Sequence, residues 1–161
     1  MKIDLSEIKI RRVEEQDIET MVLYRLDYLA ELQGERDENY KLKVKKELTE
    51  YFIKMISEGS YKAVVAQSGI HPLSYGGLIV KRIPGDFNKT SYLEGEIMNM
   101  YTIPEARRKG ISSLILKALL QIAKESGMSK VALHTSKDGE KLYRKFGFSE
   151  PAYPFLEVLI D

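Results

Sequence analysis

A basic loop that contains one glycine is the part of the sequence best suited to chemistry. It runs Arg107-Arg108-Lys109-Gly110 and leads directly into an apolar pattern of helical period. The start of a helix leaves four backbone N–H groups unpaired and carries about half a positive charge, so it favours a bound anion. Gly110 lets the backbone approach a ligand closely, while the basic side chains add full charges. The loop therefore predicts a cradle for phosphate, and an ordinary helix start with solvated basic residues is the alternative.

The helix behind this loop is indicated by its apolar spacing. Apolar residues recur at the positions that one helix face presents, namely Ile111, Leu114, Ile115, Ala118, Leu119, Ile122 and Ala123. This pattern predicts a helix over 111–126 whose first turn faces the basic loop. The loop lacks the spacing of Gly-x-x-x-x-Gly-Lys-Ser/Thr and of Gly-x-Gly-x-x-Gly, which disfavours nucleoside triphosphate and nicotinamide sites.

Length, composition and charge restrict the class of protein. The chain of 161 residues, 43% of them hydrophobic, predicts one globular domain over 1–161. The formal net charge of +1 disfavours a nucleic-acid partner, although a binding module built on 41–46 and the basic loop remains an alternative. The absence of cysteine excludes disulfides, thiolate metal sites and cysteine nucleophiles. Since no apolar signal region or membrane-length stretch is found, we expect a cytoplasmic protein without a membrane partner.

The elements that must position the loop follow from the periodicity of the rest of the chain. Helices are predicted from about 15 to 33 and over 44–56, 111–126 and 139–145. Strands are predicted over 8–13, 61–66, 76–80, 91–102, 130–133 and 155–160. A meander of strands is followed by strands that alternate with helices, which predicts an α/β fold with a mixed central sheet flanked by helices.

Two motifs resemble those of a known family. Arg107 to Ser112 matches the pattern Arg/Gln-x-x-Gly-x-Gly/Ala except that Ser112 stands at the last position. Ser136 to Phe148 is similar to Asn-x-x-Ala-x-x-Leu-Tyr-x-x-x-Gly-Phe, with serine and glycine replacing the asparagine and alanine. On these motifs the chain resembles the GNAT superfamily of acyl-CoA-dependent N-acetyltransferases. The resemblance covers residues 92–160 well and the first 60 residues only by element order.

The resemblance implies a fold, a reaction and a set of binding residues. It implies a single GNAT-like domain with a mostly antiparallel sheet, splayed between two strands and flanked by about four helices. It also implies direct transfer of an acetyl group from acetyl-CoA to a primary amine of a small molecule or peptide, without a metal. The pyrophosphate would lie on the backbone N–H groups of 108–113, and the pantetheine arm along the preceding strand. The cofactor-binding residues implied are Met100, Tyr101, Thr102, Arg107, Arg108, Lys109, Gly110, Ile111, Ser112, Ser113 and Ser136.

Acyl transfer to an amine poses a proton problem at the acceptor. An amine of pKa about 10.4 is almost entirely protonated at pH 7, so a base is useful. Glu96 lies eleven residues before Arg107, which matches the spacing of the glutamate base in histone-acetylating members of the family. Glu94 shares its strand face and is the reserve candidate, and a bulge near 98–100 could turn that face away.

The leaving thiolate poses a second proton problem. Its conjugate acid has a pKa of about 8.5, so a phenol of pKa about 10 can protonate it or donate a hydrogen bond to it. Tyr143 occupies the tyrosine position of the family motif and is the candidate acid. If catalysis has been lost, the alternative function is an inactive acyl-CoA-binding regulatory domain.

The remaining candidates concern the acceptor, metals and assembly. Tyr24 and Tyr28 could line an acceptor pocket, but we favour core packing for this pair. We expect His71 to be exposed and His134 to be packed or hydrogen-bonded, and no metal site is predicted. The apolar 153–156 segment could contribute to a homodimer contact. The sequence does not identify the acceptor amine.

Overall fold

A single five-stranded sheet organises the computed structural model, which describes residues 3–161. Its strands lie in chain order and are β1 (Ile8–Arg12), β2 (Tyr61–Ser68), β3 (His71–Pro84), β4 (Ser91–Thr102) and β5 (Lys130–Ala132). The helices of the described residues are α1 (Ile18–Gln33), α2 (Glu38–Ser57), α3 (Ile111–Glu125) and α4 (Lys137–Lys145). Short 3₁₀ turns occupy Leu5–Glu7, Glu15–Asp17 and Pro104–Ala106.

The pairing of the strands confirms the mixed sheet. β1 to β4 are antiparallel neighbours, whereas β4 and β5 run parallel over 94–96 and 130–132. A parallel pair needs a crossover connection, and α3 supplies it between β4 and β5. The predicted turn over 67–72 is shorter than expected, because β2 and β3 extend until only Gly69 and Ile70 join them.

Two apolar cores cover the two faces of the sheet. The buried face of α3 packs on one side, and α4 lies at the edge of that core. α1 and α2 pack on the other side through side chains such as Met21, Val22 and Phe52. The α1 end is anchored by Arg11, which donates to both Asp17 carboxylate oxygens over 2.7 and 2.8 Å. The helices therefore hold the two faces of β4 in different environments.

The predicted strand over 155–160 is wrong. The structure gives these residues no strand pairing, and their large apolar side chains are at least 70% exposed. A β-rich sequence becomes a strand only where a neighbouring strand accepts its hydrogen bonds. β5 is only three residues long, and within residues 3–161 it pairs only with β4. The sequence pattern indicates a preference for extended backbone, but it does not show whether a neighbouring strand is available for pairing.

Candidate functional site

A bulge in β4 sets the geometry of the site. Gly77 pairs with Met98 and Tyr75 pairs with Tyr101, so two β4 residues lie opposite one β3 residue. The first of the two, Asn99, has a φ of +62°, which is uncommon for a residue other than glycine. The bulge considered near 98–100 from the sequence is therefore present in β4.

The bulge reverses which side of β4 each side chain faces. Ile97 and Met100 both pack into the core beneath α3, although strict alternation would place them on opposite faces. Tyr101 faces α1 instead, where its hydroxyl donates to Glu31 over 3.0 Å and its ring contacts Tyr24 edge-on. Glu96 lies before the bulge, so its orientation is not altered by it.

The splay of the sheet opens β4 to a ligand. β5 pairs with β4 only over 94–96, and among the described residues nothing pairs with the β5 side of β4 beyond Glu96. The main chain of Met100, Tyr101 and Thr102 therefore borders a gap on that side. An extended molecule can lie along such an unpaired edge and use its backbone groups.

Glu96 projects from β4 on the face covered by α1 and α2. It lies directly opposite Ile79, which packs in the core of that face, and paired residues share a face. Its side chain is 19% exposed and forms an ion pair with Lys81. His134 Nε2 lies 4.0 Å from one Glu96 carboxylate oxygen. Glu96 is thus a carboxylate that is largely shielded from solvent and has two basic neighbours, Lys81 and His134.

The reserve carboxylate lies in a different setting. Glu94 is 3.4 Å from the Lys130 ammonium, whose side chain is 62% exposed. It lies two residues from Glu96 and therefore farther from the bulge and the gap. The structure brings Glu96, not Glu94, next to the residues of the splayed region.

Tyr143 lies on α4 and packs against the same core as Met100 of β4. Its ring packs edge-on against Phe148 with centroids 5.8 Å apart. Burial raises the pKa of Tyr143, and the nearby Tyr28 phenol adds to the shift. Tyr28 belongs to α1. A phenol with a raised pKa stays protonated at neutral pH and can donate a proton or a hydrogen bond.

The start of α3 is an uncapped helix N-terminus. Gly110 precedes the helix with a φ of +79°, and no side chain caps it. The first helical hydrogen bond joins the Leu114 N–H to the Gly110 carbonyl, so the N–H groups of Ile111, Ser112 and Ser113 lack a helical acceptor. A Cβ built on Gly110 has no neighbour within 4 Å. The exposed Arg108 and Lys109 stand beside this open position.

The Arg107 side chain forms hydrogen bonds and an ion pair inside the protein. It donates to both Glu31 carboxylate oxygens over 2.7 and 2.9 Å and to the Thr102 carbonyl over 2.9 Å. The guanidinium also lies 5.4 Å from the centre of the Tyr101 ring. Arg107 holds the pKa of Glu31 below its usual value. Its side chain therefore fastens the basic loop to α1, and its charge is neutralised there.

Two serines stand where the family motifs have other residues, and both have partners inside the protein. The Ser112 hydroxyl lies 3.1 Å from that of Thr102, which in turn lies 2.8 Å from that of Ser74. This chain of hydroxyls explains how serine fits a position of small residues. Ser136 caps α4, where its hydroxyl accepts from the Gly139 N–H over 3.2 Å.

The tyrosines and histidines divide between confirmed and corrected predictions. Tyr24 packs as predicted, with its hydroxyl donating to the Pro72 carbonyl over 2.7 Å. His71 is exposed, as predicted. His134 is not packed, because its side chain is 79% exposed at the open side of β5.

No cluster of His, Asp or Glu within residues 3–161 could hold a metal ion, and no helix there is long and apolar enough to cross a membrane.

Sequence reasoning missed a polar cluster on α1. Arg25 reaches the bulge, where its Nη1 donates to the Asn99 side-chain oxygen over 3.4 Å. Its Nε is buried and has no hydrogen-bond partner among the described residues. A signal was available, since Arg25 continues the helical spacing of Ile18, Met21 and Val22 and so falls on the buried face of α1.

The chain resembles acetyltransferases in sequence and in fold. Residues 22–148 match the model of the "Acetyltransferase (GNAT) family". An uncharacterized N-acetyltransferase of Escherichia coli K12, YedL, is 33% identical over 72 residues, which span 42% of this chain and 45% of that protein. The chain thus matches less than half the length of this curated relative.

Solved structures extend the similarity to nearly the whole chain. A predicted acetyltransferase from Clostridium acetobutylicum, solved with acetyl-CoA, is 27% identical with a TM-score of 0.81, over 94% of this chain and 96% of that one. A GCN5-related N-acetyltransferase from Ralstonia eutropha JMP134 shares the fold, with 23% identity and a TM-score of 0.75 over 94% and 98% of the two chains.

Proposed function

The chain belongs to the GNAT acetyltransferase family, and we propose that it transfers an acetyl group from acetyl-CoA to a primary amine of a small molecule or peptide. The observation that carries this proposal is the gap beside β4, which is bordered by the uncapped start of α3 and by Tyr143. The gap offers a main-chain edge, an anion site and a proton donor together.

The residues around the gap fit acetyl-CoA. The free N–H groups of 111–113 and the exposed Arg108 and Lys109 suit a pyrophosphate, and Gly110 leaves the approach open. The unpaired main chain of 100–102 suits the amide groups of a pantetheine arm. Bound acetyl-CoA would supply an activated thioester. Arg107 and Ser136 serve the site by holding the loop and the start of α4 in place.

The proposed chemistry assigns one proton to each side of the reaction. Glu96 accepts one proton from the protonated amine, and the neutral amine attacks the acyl carbon directly. The nitrogen of the tetrahedral adduct loses its second proton to solvent as the carbon–sulfur bond breaks, and Tyr143 donates its proton to the departing sulfur. Glu96 then releases its proton to solvent, and the Tyr143 phenolate takes one up. The absence of cysteine agrees with direct attack, since no thiol is present to form a covalent intermediate.

The first test is thermal unfolding of the purified protein with and without acetyl-CoA, followed by turnover with a panel of amines. A ligand at a hundred times its dissociation constant should stabilise the native state by about 2.7 kcal/mol. Stabilisation with turnover supports the proposal. Stabilisation without turnover on any amine would favour the inactive acyl-CoA-binding alternative, and no stabilisation would contradict both.

Glu96→Gln is expected to lower kcat/KM for the amine about 100-fold at pH 7, because general base catalysis contributes on that order. The deficit should shrink as the pH approaches the pKa of the amine, since the neutral amine then needs no base. Glu94→Gln is the matched control, and it should retain most of the activity. The opposite pattern, with Glu94→Gln inactive and Glu96→Gln active, would transfer the base role to Glu94.

We also propose that a second copy of the chain covers the exposed apolar segment 155–160. Its five large apolar side chains are at least 70% exposed, and the ring of Phe155 lies 6.3 Å from that of His134, two residues after the edge strand β5. Light scattering should therefore report twice the chain mass of 18.5 kDa. A double variant, Leu156→Glu with Val158→Glu, should be monomeric, whereas Glu157→Gln should remain dimeric. A monomeric wild-type protein at micromolar concentration would refute the dimer.

A further inference from the structure

We infer that Arg25 binds an anionic group of the acceptor, so that the substrate is an amine that also carries a carboxylate or a phosphate. This inference rests on the proposed function and adds the substrate class to it. It starts from the polar cluster that α1 presents to the bulge of β4.

Arg25 is a half-buried cation whose Nε atom is fully buried. It follows Met21 and Val22 at helical spacing, and both of these residues are fully buried. Its Nη1 donates to Asn99, which is only 7% exposed, over the long distance of 3.4 Å. Burial raises the pKa of the Tyr61 phenol, and both a hydrogen bond with Asn99 and the nearby charge of Arg25 oppose this rise. The guanidinium therefore lies over the bulge, between α1 and the sheet.

The donors of Arg25 are largely unused. A guanidinium carries five N–H groups, and the structure gives this one a single weak hydrogen bond within residues 3–161. Its Nε is buried without an acceptor. Buried donors in proteins are almost always paired, so an unpaired one beside a gap indicates a missing acceptor atom.

The neighbouring carboxylates cannot supply that atom, because other cations hold them. Glu31 is bound by Arg107, and Glu96 is bound by Lys81. Within the described residues no carboxylate oxygen lies within 4.0 Å of Arg25, although both other arginines that touch the α1 region, Arg11 and Arg107, have such partners. Arg25 is the cation of this region that has no anion, which suits a bidentate carboxylate or phosphate.

The position of Arg25 suits an acceptor rather than acetyl-CoA. Asn99 lies three residues after Glu96 on the same strand, which is about 10 Å at the usual rise of a strand. Tyr28 lies one helical turn after Arg25 and is close enough to Tyr143 to raise its pKa. A bound molecule can thus place its amine between Glu96 and Tyr143 and its anionic group at Arg25, while the uncapped α3 start on the loop side remains available for pyrophosphate.

Matched acceptors test the inference. Amino acids with a side-chain amine, such as lysine, are compared with their carboxamides, and an amino sugar phosphate with the unphosphorylated sugar, so the two arms separate carboxylate from phosphate. We expect the anionic member of at least one pair to have a kcat/KM at least about tenfold higher, with the difference mainly in KM. The preferred anionic acceptor should also bind in calorimetry, which gives a readout that does not depend on turnover.

Substitution of Arg25 should remove the preference itself. Arg25→Gln should bring the ratio of kcat/KM between the anionic and neutral acceptors close to one, and Arg25→Lys should keep part of it. Arg12→Gln is the matched control, because Arg12 is exposed on β1 at the far edge of the sheet. Melting temperature and acetyl-CoA affinity check that each variant is folded.

The outcomes separate the two proposals. Absence of turnover with every amine would overturn the proposed function. Turnover that does not distinguish anionic from neutral acceptors in the wild type would overturn the role of Arg25 alone. The role would also be overturned if Arg25→Gln lowered both members of a pair equally, since a merely structural arginine would act in that way.

Discussion

Replacing Tyr143 by phenylalanine is expected to lower kcat at least about 100-fold, while leaving the affinity for acetyl-CoA nearly unchanged. The substitution removes the phenolic hydroxyl but keeps the ring, which packs against Phe148 and the core beneath α3. Proton transfer by a positioned side chain contributes on the order of 100-fold or more. The measurement is steady-state kinetics with saturating acetyl-CoA, together with calorimetric binding.

The pH dependence of this effect has a definite sign. Burial raises the pKa of Tyr143 above its ordinary value near 10, so the phenol remains protonated through the physiological range. A loss of activity caused by its ionisation should therefore appear only above about pH 10. Tyr28→Phe is the control, because it removes a nearby phenol without removing the donor. If Tyr143→Phe retains full activity, Tyr143 is not the acid.

A Gly110→Asp variant is expected to lose the stabilisation that acetyl-CoA gives to the wild-type protein. A Cβ at this position has open space around it, so the substitution produces no clash. The carboxylate places a negative charge beside the free N–H groups of α3, where it repels a phosphate that would occupy them. The left-handed backbone costs an aspartate about 1 kcal/mol, so the variant is less stable than the wild type but should remain folded.

Thermal unfolding measures this loss directly. A ligand concentration that stabilises the wild type by about 2.7 kcal/mol should produce little or no shift in the variant. Gly69→Asp is the matched control, because Gly69 also has a positive φ of 59° and open space, but lies in the β2–β3 turn. Equal stabilisation of Gly110→Asp and wild type would show that the pyrophosphate does not bind at the start of α3.

The local elements were largely predictable because local periodicity encodes them. The apolar stripe from Ile111 to Ala123 predicts α3 to within a residue, since a helix must bury one face whatever surrounds it. The order of strands and helices likewise predicts the parallel pairing of β5 with β4. The strand predicted over 155–160 fails for the complementary reason, because a strand depends on a neighbour that the local sequence does not contain.

The candidate site likewise contains some features that the local sequence reveals and others that depend on tertiary packing. The basic loop, its glycine and the helix start behind it could be found from the sequence, since all of them are formed by consecutive residues. The ion pair between Arg107 and Glu31 could not be found from the sequence, because 76 residues separate them and only the packing of α1 brings them together. Arg25 and Asn99 meet across 74 residues for the same reason.

The sequence by itself determined the helices, most of the strands, the basic loop before α3 and the resemblance to acetyltransferases, because each of these depends on residues close together in the chain. Only the tertiary structure decided which side chains remain free for ligands. Arg107 donates to Glu31 of a distant helix, the Ser112 hydroxyl pairs with that of Thr102, and the Ser136 hydroxyl accepts from the Gly139 N–H, whereas the Nε of Arg25 has no partner among the described residues. Which partner each group has depends on the packing of α1 and the bulge of β4, and that packing is a property of the whole fold.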